Sequence, residues 1–176
     1  MLPLVGIGGL QLECSLPSIG EENRIGRQLM DAVDLIKQDH RRIERMLDRF
    51  LETESEMTQE DLSQEIQTGL TIHAEIEERV LYPAVRHFAR KQVNEAVKKD
   101  AEVREILMDL LDADLNEQTL EERFTQLMED VRNHIKEQEA QGGLLELARR
   151  HLDADTLVEM AARITRIQRG LENLAA

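Results

Sequence analysis

Apolar residues recur every three or four positions from about residue 28 almost to the end of the chain. This is the spacing of helices that bury one face. Four long helices are predicted, at about 28–53, 58–84, 92–111 and from 119 to the glycine pair at 142–143, followed by an amphipathic segment at about 155–174. Long helices joined by short connections predict an all-α fold, an antiparallel up-down-up-down four-helix bundle with an extra C-terminal helix.

Composition agrees with this prediction. Aromatic residues make up 2% of the chain, and its three prolines leave long stretches free for helices. Pro83 is expected to kink or end the second helix. We expect residues 1–27 to form an irregular N-terminal tail, residues 28–151 to form the bundle and residues 152–176 to form a helix packed on it.

The charge of the chain restricts its partners. Its 22 basic and 36 acidic residues give a net charge of −14. Such a field repels nucleic acid and anionic lipid, so neither nucleic acid nor a membrane is expected as a partner. The single cysteine, Cys14, excludes an internal disulfide and a cysteine-based zinc or iron–sulfur site. No apolar run approaches the ~20 residues of a membrane span and no secretory signal is recognisable, so a cytoplasmic location is expected.

Polar residues interrupt the apolar face of every helix of the predicted bundle. The six residues concerned are His40, His73, Glu77, Asp100, His134 and Gln138. A buried histidine or aspartate without a partner costs several kcal/mol, so each needs a hydrogen bond or a metal. One such residue is more often a hydrogen-bonded core residue, whereas six that converge favour a metal site.

The spacing of these residues sharpens the prediction. His40 and His73 are 33 residues apart, and Asp100 and His134 are 34 apart, which places all of them at a similar level of an up-down bundle. Each later histidine is followed four residues on by another possible ligand on the same helix face. Imidazole and carboxylate ligands suit iron, manganese or zinc, and the pattern does not choose among them.

These residues resemble the hemerythrin-like HHE cation-binding domain family over about residues 32–150. The resemblance rests on Asp39-His40-Arg-Arg-Ile, on His134-Ile-Lys-Glu-Gln138-Glu and, most specifically, on the run HAEIEERVLYP that ends at Pro83. The last run is similar to the family pattern H-x-x-x-E-E-x-x-L-Y/F-P. The resemblance implies a four-helix bundle around a non-haem di-iron centre, with roles in oxygen binding, in oxygen or iron sensing, or in protection under nitrosative stress.

The resemblance also implies four metal ligands, His40, His73, Glu77 and His134. Two positions depart from the family pattern, since Asp100 replaces a histidine and Gln138 replaces a second bridging glutamate. A neutral amide brings no charge to offset the repulsion of two cations. Glu137 and Glu139 flank Gln138 and are alternative ligands if the helix is irregular there. We therefore expect one metal ion or a labile pair rather than a full oxygen-carrying di-iron site.

Two functional hypotheses follow. The first is a non-haem metal-binding protein, with iron as the expected metal, that senses or handles oxygen, nitric oxide or iron; O2 or NO would take an open coordination position. The second is a degenerate bundle without metal that acts as a regulatory or interaction module. A binding role is favoured over an enzyme, with weak oxidase or peroxidase activity as the alternative.

Three further residues are expected outside the ligand set. Tyr82 is predicted to be a core or rim aromatic, with a place near the metal as the alternative. His87 lies beyond Pro83, too far along the helix to share the site, and His151 is expected near a helix end.

Overall fold

The computed structural model describes residues 30–53, 55–110 and 117–175. Within these ranges the backbone forms seven α-helices and one π-helical segment, and no strand. They are α1 (Ala32–Glu52), α2 (Glu56–Ile76), the π segment (Glu77–Leu81), α3 (Tyr82–Val85), α4 (Arg90–Asp109), α5 (Glu117–Glu139), α6 (Leu144–His151) and α7 (Ala154–Ala175). The all-α prediction is confirmed, and the predicted tail at residues 1–27 lies outside the described residues.

Contacts between helices show the direction of each one. Asp39 of α1 contacts His73 of α2, whereas Arg49, further along α1, pairs with Glu65, which comes earlier in α2. These two helices are therefore antiparallel. By the same argument, α4 is antiparallel to the π segment and α3 on one side and to α5 on the other, and α5 is antiparallel to α1. The up-down-up-down bundle is confirmed, and α7 packs against α1 and α2 as the additional C-terminal helix.

Two apolar clusters fill the bundle, one toward each end. On α1, Ile36 belongs to the cluster that also includes α6 and α7, and Ile43 belongs to the opposite cluster. His40 lies between them on the same helix face. On α4, Ala96 and Ile106 flank the level of Asp100 in the same way. The predicted site residues thus form a polar layer between two apolar clusters, and each fully buried Leu or Ile in these clusters contributes about 1.5–3 kcal/mol to folding.

The inward-facing apolar side chains form these clusters, whereas the outer faces of the helices carry many charged residues. Among the described residues, none of the helices has both the length and the apolar character needed to cross a membrane.

The second helix of the bundle widens before Pro83 instead of ending there. The N–H of Tyr82 donates to the carbonyl of Glu77, five residues back, which is the π-helical pattern. Because proline has no N–H, the carbonyl of Arg79 loses its usual helical donor. Arg163 of α7 donates to that carbonyl at 2.8 Å instead. Helical backbone therefore continues through Pro83 as far as Val85.

The glycine pair ends α5 directly after the last predicted site residue. Gly142 has φ +77°, the left-handed conformation that favours glycine. A Cβ on Gly143 would lie 2.4 Å from the carbonyl oxygens of Glu137 and Gln138, which excludes a side chain there. The chain therefore turns between α5 and α6, and the fourth helix does not run on beyond the glycines.

Candidate metal centre

The structure brings all six sequence-predicted site residues together in the polar layer. All are buried: the exposed fraction is 0% for His40 and Glu77 and reaches only 8% for Asp100. They come from four helices and from the first residue of the π segment. Five of them form two ligand groups, with Glu77 in both, and Gln138 lies beside the second group.

The first ligand group consists of His40, His73 and Glu77. One ligand atom from each lies within 4.8 Å of the others. His73 Nε2 and Glu77 Oε1 are 3.5 Å apart. These two atoms and His40 Nε2 are buried without a hydrogen-bond partner among the described residues. Because an unpaired buried polar atom is costly, a group of three that face one another fits a bound cation.

Carboxylates hold both imidazoles of this group from the opposite side. His73 Nδ1 lies 2.8 Å from Asp39 Oδ2, and His40 Nδ1 lies 2.8 Å from Glu139 Oε1. Arg41 pairs with the other oxygen of Glu139. When Nδ1 carries the proton and donates it to a carboxylate, Nε2 keeps its lone pair and faces the centre. Metal-binding histidines in proteins are commonly oriented in this way.

The second ligand group consists of Glu77, Asp100 and His134. Again one ligand atom of each lies within 4.8 Å of the others. His134 Nε2 is 3.2 Å from Glu77 Oε2 and 3.5 Å from Asp100 Oδ1. Glu77 therefore directs one oxygen to each group, which is where a carboxylate that bridges two cations would lie. Gln138 Nε2 also contacts His134 Nε2, at 2.7 Å.

Tyr82 joins the second group through its hydroxyl. The hydroxyl oxygen lies 2.6 Å from both Glu77 Oε2 and Asp100 Oδ2. It has a single proton to donate, so the other carboxylate must be protonated or neutralised by a cation. Burial, followed by the charge of Glu77, raises the pKa of Asp100 to about 6. The tyrosine is thus both a core aromatic and a neighbour of the site, the alternative that the sequence favoured less.

The two histidines of the first group differ in charge. Burial and the neighbouring His73 lower the pKa of His40 to about 3. Burial also acts to lower the pKa of His73, but Glu77 and the hydrogen bond from Asp39 outweigh it and raise that pKa to about 9. Burial opposes ionisation of Glu77, yet His73 and then His134 hold its pKa well below the usual range. Without metal, a proton on His73 therefore takes the place of a cation between two carboxylates.

The remaining sequence candidates lie outside both ligand groups. Glu139 contacts the far nitrogen of His40, and Glu137 is exposed and pairs with Lys99 at 2.5 Å. His87 and His151 are exposed as well, and both rings pack on Phe88. Neither flanking glutamate takes the place of Gln138. The roles of Asp39 and Glu139 behind the histidines were missed, and the only sequence signal for Asp39 was its place next to His40.

A buried layer of histidines and carboxylates inside a four-helix bundle defines a cation-binding bundle protein. The model of the hemerythrin HHE cation binding domain matches residues 31–141, and the chain belongs to that family. The resemblance read from the sequence is confirmed.

Two individual proteins are similar to this chain. The crystal structure of a hemerythrin HHE cation binding domain-containing protein from Mycobacterium kansasii has a TM-score of 0.64 at 20% identity, and the match covers 82% of this chain and 90% of that one. A curated relative from Nostoc sp., named DNA nickase, is 26% identical over 115 residues, which are 65% of this chain and 33% of the relative. The chain therefore spans about a third of the length of that relative.

Proposed function

We propose that this chain is a non-haem iron protein whose metal ligands are His40, His73, Glu77, Asp100 and His134. The observation that carries the proposal is the set of three buried ligand atoms in the first group that have no hydrogen-bond partner among the described residues. An unsatisfied buried polar group costs about 1–3 kcal/mol, so three such atoms in one ligand group are retained at a high cost unless a cation binds them. In a bundle without metal, the alternative hypothesis, the proton on His73 offsets part of this cost, but His40 Nε2 stays buried without a hydrogen-bond partner among the described residues.

The ligand types agree with iron. Imidazole nitrogens and carboxylate oxygens without any thiolate suit iron, manganese or zinc. Three buried carboxylates, those of Asp39, Glu77 and Asp100, supply negative charge that one or two dications would balance. Bound iron would supply a redox-active centre with a coordination position for a small ligand. We favour iron over the other two metals because the family resemblance implies a non-haem iron centre.

A small cavity beside the centre supports a diatomic ligand. It has a volume of about 30 Å³ and borders His73, Asp100 and His134. Its other walls are apolar side chains, among them Ile43, Leu70, Ala74, Val103, Val131 and Ile135. This is room for about one water-sized molecule. We therefore propose that the protein senses or handles O2 or NO, and not a larger substrate; oxidase or peroxidase chemistry on a small molecule is the remaining alternative.

DNA nicking is not part of the proposal. The Nostoc relative carries that name, but this chain spans about a third of its length. The net charge of −14 also opposes approach to a phosphate backbone.

The metal is tested by elemental analysis and absorption spectroscopy of protein purified without chelators or a metal-binding tag. We expect one to two irons per chain in the wild type, loss of most of the iron in His73→Ala, and loss from both groups in Glu77→Gln. His87→Ala, which changes an exposed histidine outside the centre, is the matched control and should keep its iron. Less than a tenth of an iron per chain after anaerobic reconstitution of the wild type would contradict the proposal.

The diatomic ligand is tested by titrating the reduced, iron-loaded protein with NO and following its absorption. Val103→Ile adds one methylene to the wall of the cavity and should weaken NO binding several-fold while the iron content stays unchanged. Val97→Ile is the matched control on the same helix, since Val97 packs in an apolar cluster and does not line the cavity. Equal NO affinities in all three proteins would contradict the assignment of the cavity.

A further inference from the structure

The side-chain amide of Gln138 occupies the nitrogen that a metal in the second ligand group needs. Gln138 Nε2 lies 2.7 Å from His134 Nε2. The same nitrogen faces Glu77 and Asp100, at 3.2 and 3.5 Å. When the ring proton of His134 is on Nδ1, the amide N–H of Gln138 donates to the lone pair of Nε2, and because that nitrogen has only one lone pair, none is left for a metal. A metal ion and the amide therefore compete for His134.

In the first ligand group, no side chain competes with a metal in this way. His40 Nε2 and His73 Nε2 have no hydrogen-bond partner within the described ranges, and their other ring nitrogens are already held by carboxylates. A cation can bind between them without displacing a side chain. The two groups share Glu77 but differ in this respect, so they should differ in affinity.

The amide of Gln138 has space to move aside. A cleft of about 250 Å³ between α4 and α5 opens next to it, bordered by Gln92, Lys99 and the turn at Gly142–Gly143. In its present position Gln138 Oε1 is buried without a partner among the described residues. Rotation of the Gln138 side chain into the cleft breaks the hydrogen bond to His134 but exposes Oε1 to water. The net cost of displacement is therefore close to that of one neutral hydrogen bond.

We propose that Gln138 gates the second metal position, so that the first position fills at low metal concentration and the second only when a metal displaces the amide. This inference rests on the proposed metal-binding function and adds to it an order of filling. Occupancy of the second position then reports the free concentration of the metal. Gln138 affects metal binding through His134, and its side chain moves into the cleft when a metal displaces it.

The test compares the wild type with Gln138→Leu, which keeps a similar volume and removes the amide. Both proteins are titrated with Fe²⁺ alone under anaerobic conditions in a calorimeter. In Gln138→Leu the second binding event should be about five- to tenfold tighter, as expected from the loss of one neutral hydrogen bond, and the first should be unchanged. A wild type with one detectable event and a variant with two would support the proposal equally.

Two control variants locate the effect. Gln141→Leu replaces an exposed amide at the rim of the same cleft and should leave both events unchanged. His134→Ala should remove the second event and keep the first. Thermal unfolding of each protein checks that it folds, and Gln138→Asn, whose amide is one methylene too short to contact His134, replaces Gln138→Leu if that variant does not fold.

Two outcomes would overturn the proposal. A weaker second event in Gln138→Leu would show that Gln138 is itself a ligand, and an unchanged one would show that its amide does not compete. If the wild type binds no Fe²⁺ at all, the proposed metal-binding function fails, and that result differs from both.

Discussion

Asp39 Oδ2 lies 2.8 Å from Nδ1 of His73, on the side of the ring opposite to Glu77. The two residues belong to neighbouring antiparallel helices, α1 and α2, so this contact also sets the rotation of one helix relative to the other. An acidic residue directly before one predicted ligand, His40, thus orients a different ligand. The carboxylate keeps His73 Nε2 directed at the first ligand group.

We expect Asp39→Ala to weaken metal binding in the first group by about 10- to 100-fold, the usual effect of removing a carboxylate behind a metal-binding histidine. Asp39→Asn retains an acceptor for the Nδ1 proton and should lose less. Competition with a chromogenic chelator measures both affinities. Asp48→Ala, an exposed aspartate on the same helix, is the control. Wild-type affinity in Asp39→Ala would show that this contact does not orient a ligand.

Metal binding should release protons because His73 is protonated in the metal-free protein. Its pKa is raised from 6.5 to about 9, so the stability that the charged ring contributes is present below pH 6.5 and is lost as the pH rises through about 9. At pH 8 a metal must displace about one proton from His73 and none from His40, whose pKa is about 3. Calorimetric titrations at pH 8, in buffers with different ionisation enthalpies, count these protons.

The same titration has an internal check. Asp39→Asn removes a charge that raises the pKa of His73, so this variant should release fewer protons at pH 8. Above pH 10 the wild type should release almost none from this group. Zero proton release by the wild type at pH 8 would show that His73 is neutral before the metal binds.

The bundle and the polar layer could be predicted because both follow from a helical period of 3.6 residues. His40, for instance, occupies a position between Ile36 and Ile43 where the apolar stripe requires a buried side chain, and it is buried. The period gives the inward face of a helix, and this was enough to predict that six polar side chains are buried and lie together between the helices.

The groups behind the ligands could not be predicted in the same way. Asp39 and Glu139 lie one position beside an inward-facing residue, and whether they contact a neighbouring helix depends on how the helices are rotated against each other. Tyr82 reaches Glu77, five residues back, because the π segment replaces the usual i→i−4 bonds with i→i−5 bonds. The spacing of apolar residues alone predicts neither the relative rotation of the helices nor the π-helical segment.

Tyr82→Phe should destabilise the metal-free protein more than the metal-loaded one. The substitution removes only the hydroxyl, which lies 2.6 Å from both Glu77 and Asp100. Without metal, the carboxylate that accepts the hydroxyl proton then loses its donor, at a cost of about 1.5–3 kcal/mol for a hydrogen bond to a charged group. A bound cation would take over that role. Urea unfolding with a chelator and with added metal measures both differences, and equal losses would contradict this account.

Gly143→Ala should disturb the centre from outside it. A Cβ at this position would lie 2.4 Å from the carbonyl oxygens of Glu137 and Gln138, and backbone must shift to relieve that contact. We expect a loss of about 1–3 kcal/mol in unfolding free energy and a lower metal content, because this backbone carries Gln138 and leads to the glutamate behind His40.

Gly170→Ala is the matched control. A Cβ at Gly170 meets no atom within 4 Å, and the residue lies inside α7, so alanine should be neutral or stabilise by up to about 1 kcal/mol. Urea unfolding and elemental analysis of both variants test this, and a normal metal content in a destabilised Gly143→Ala would show that the end of α5 does not position the centre.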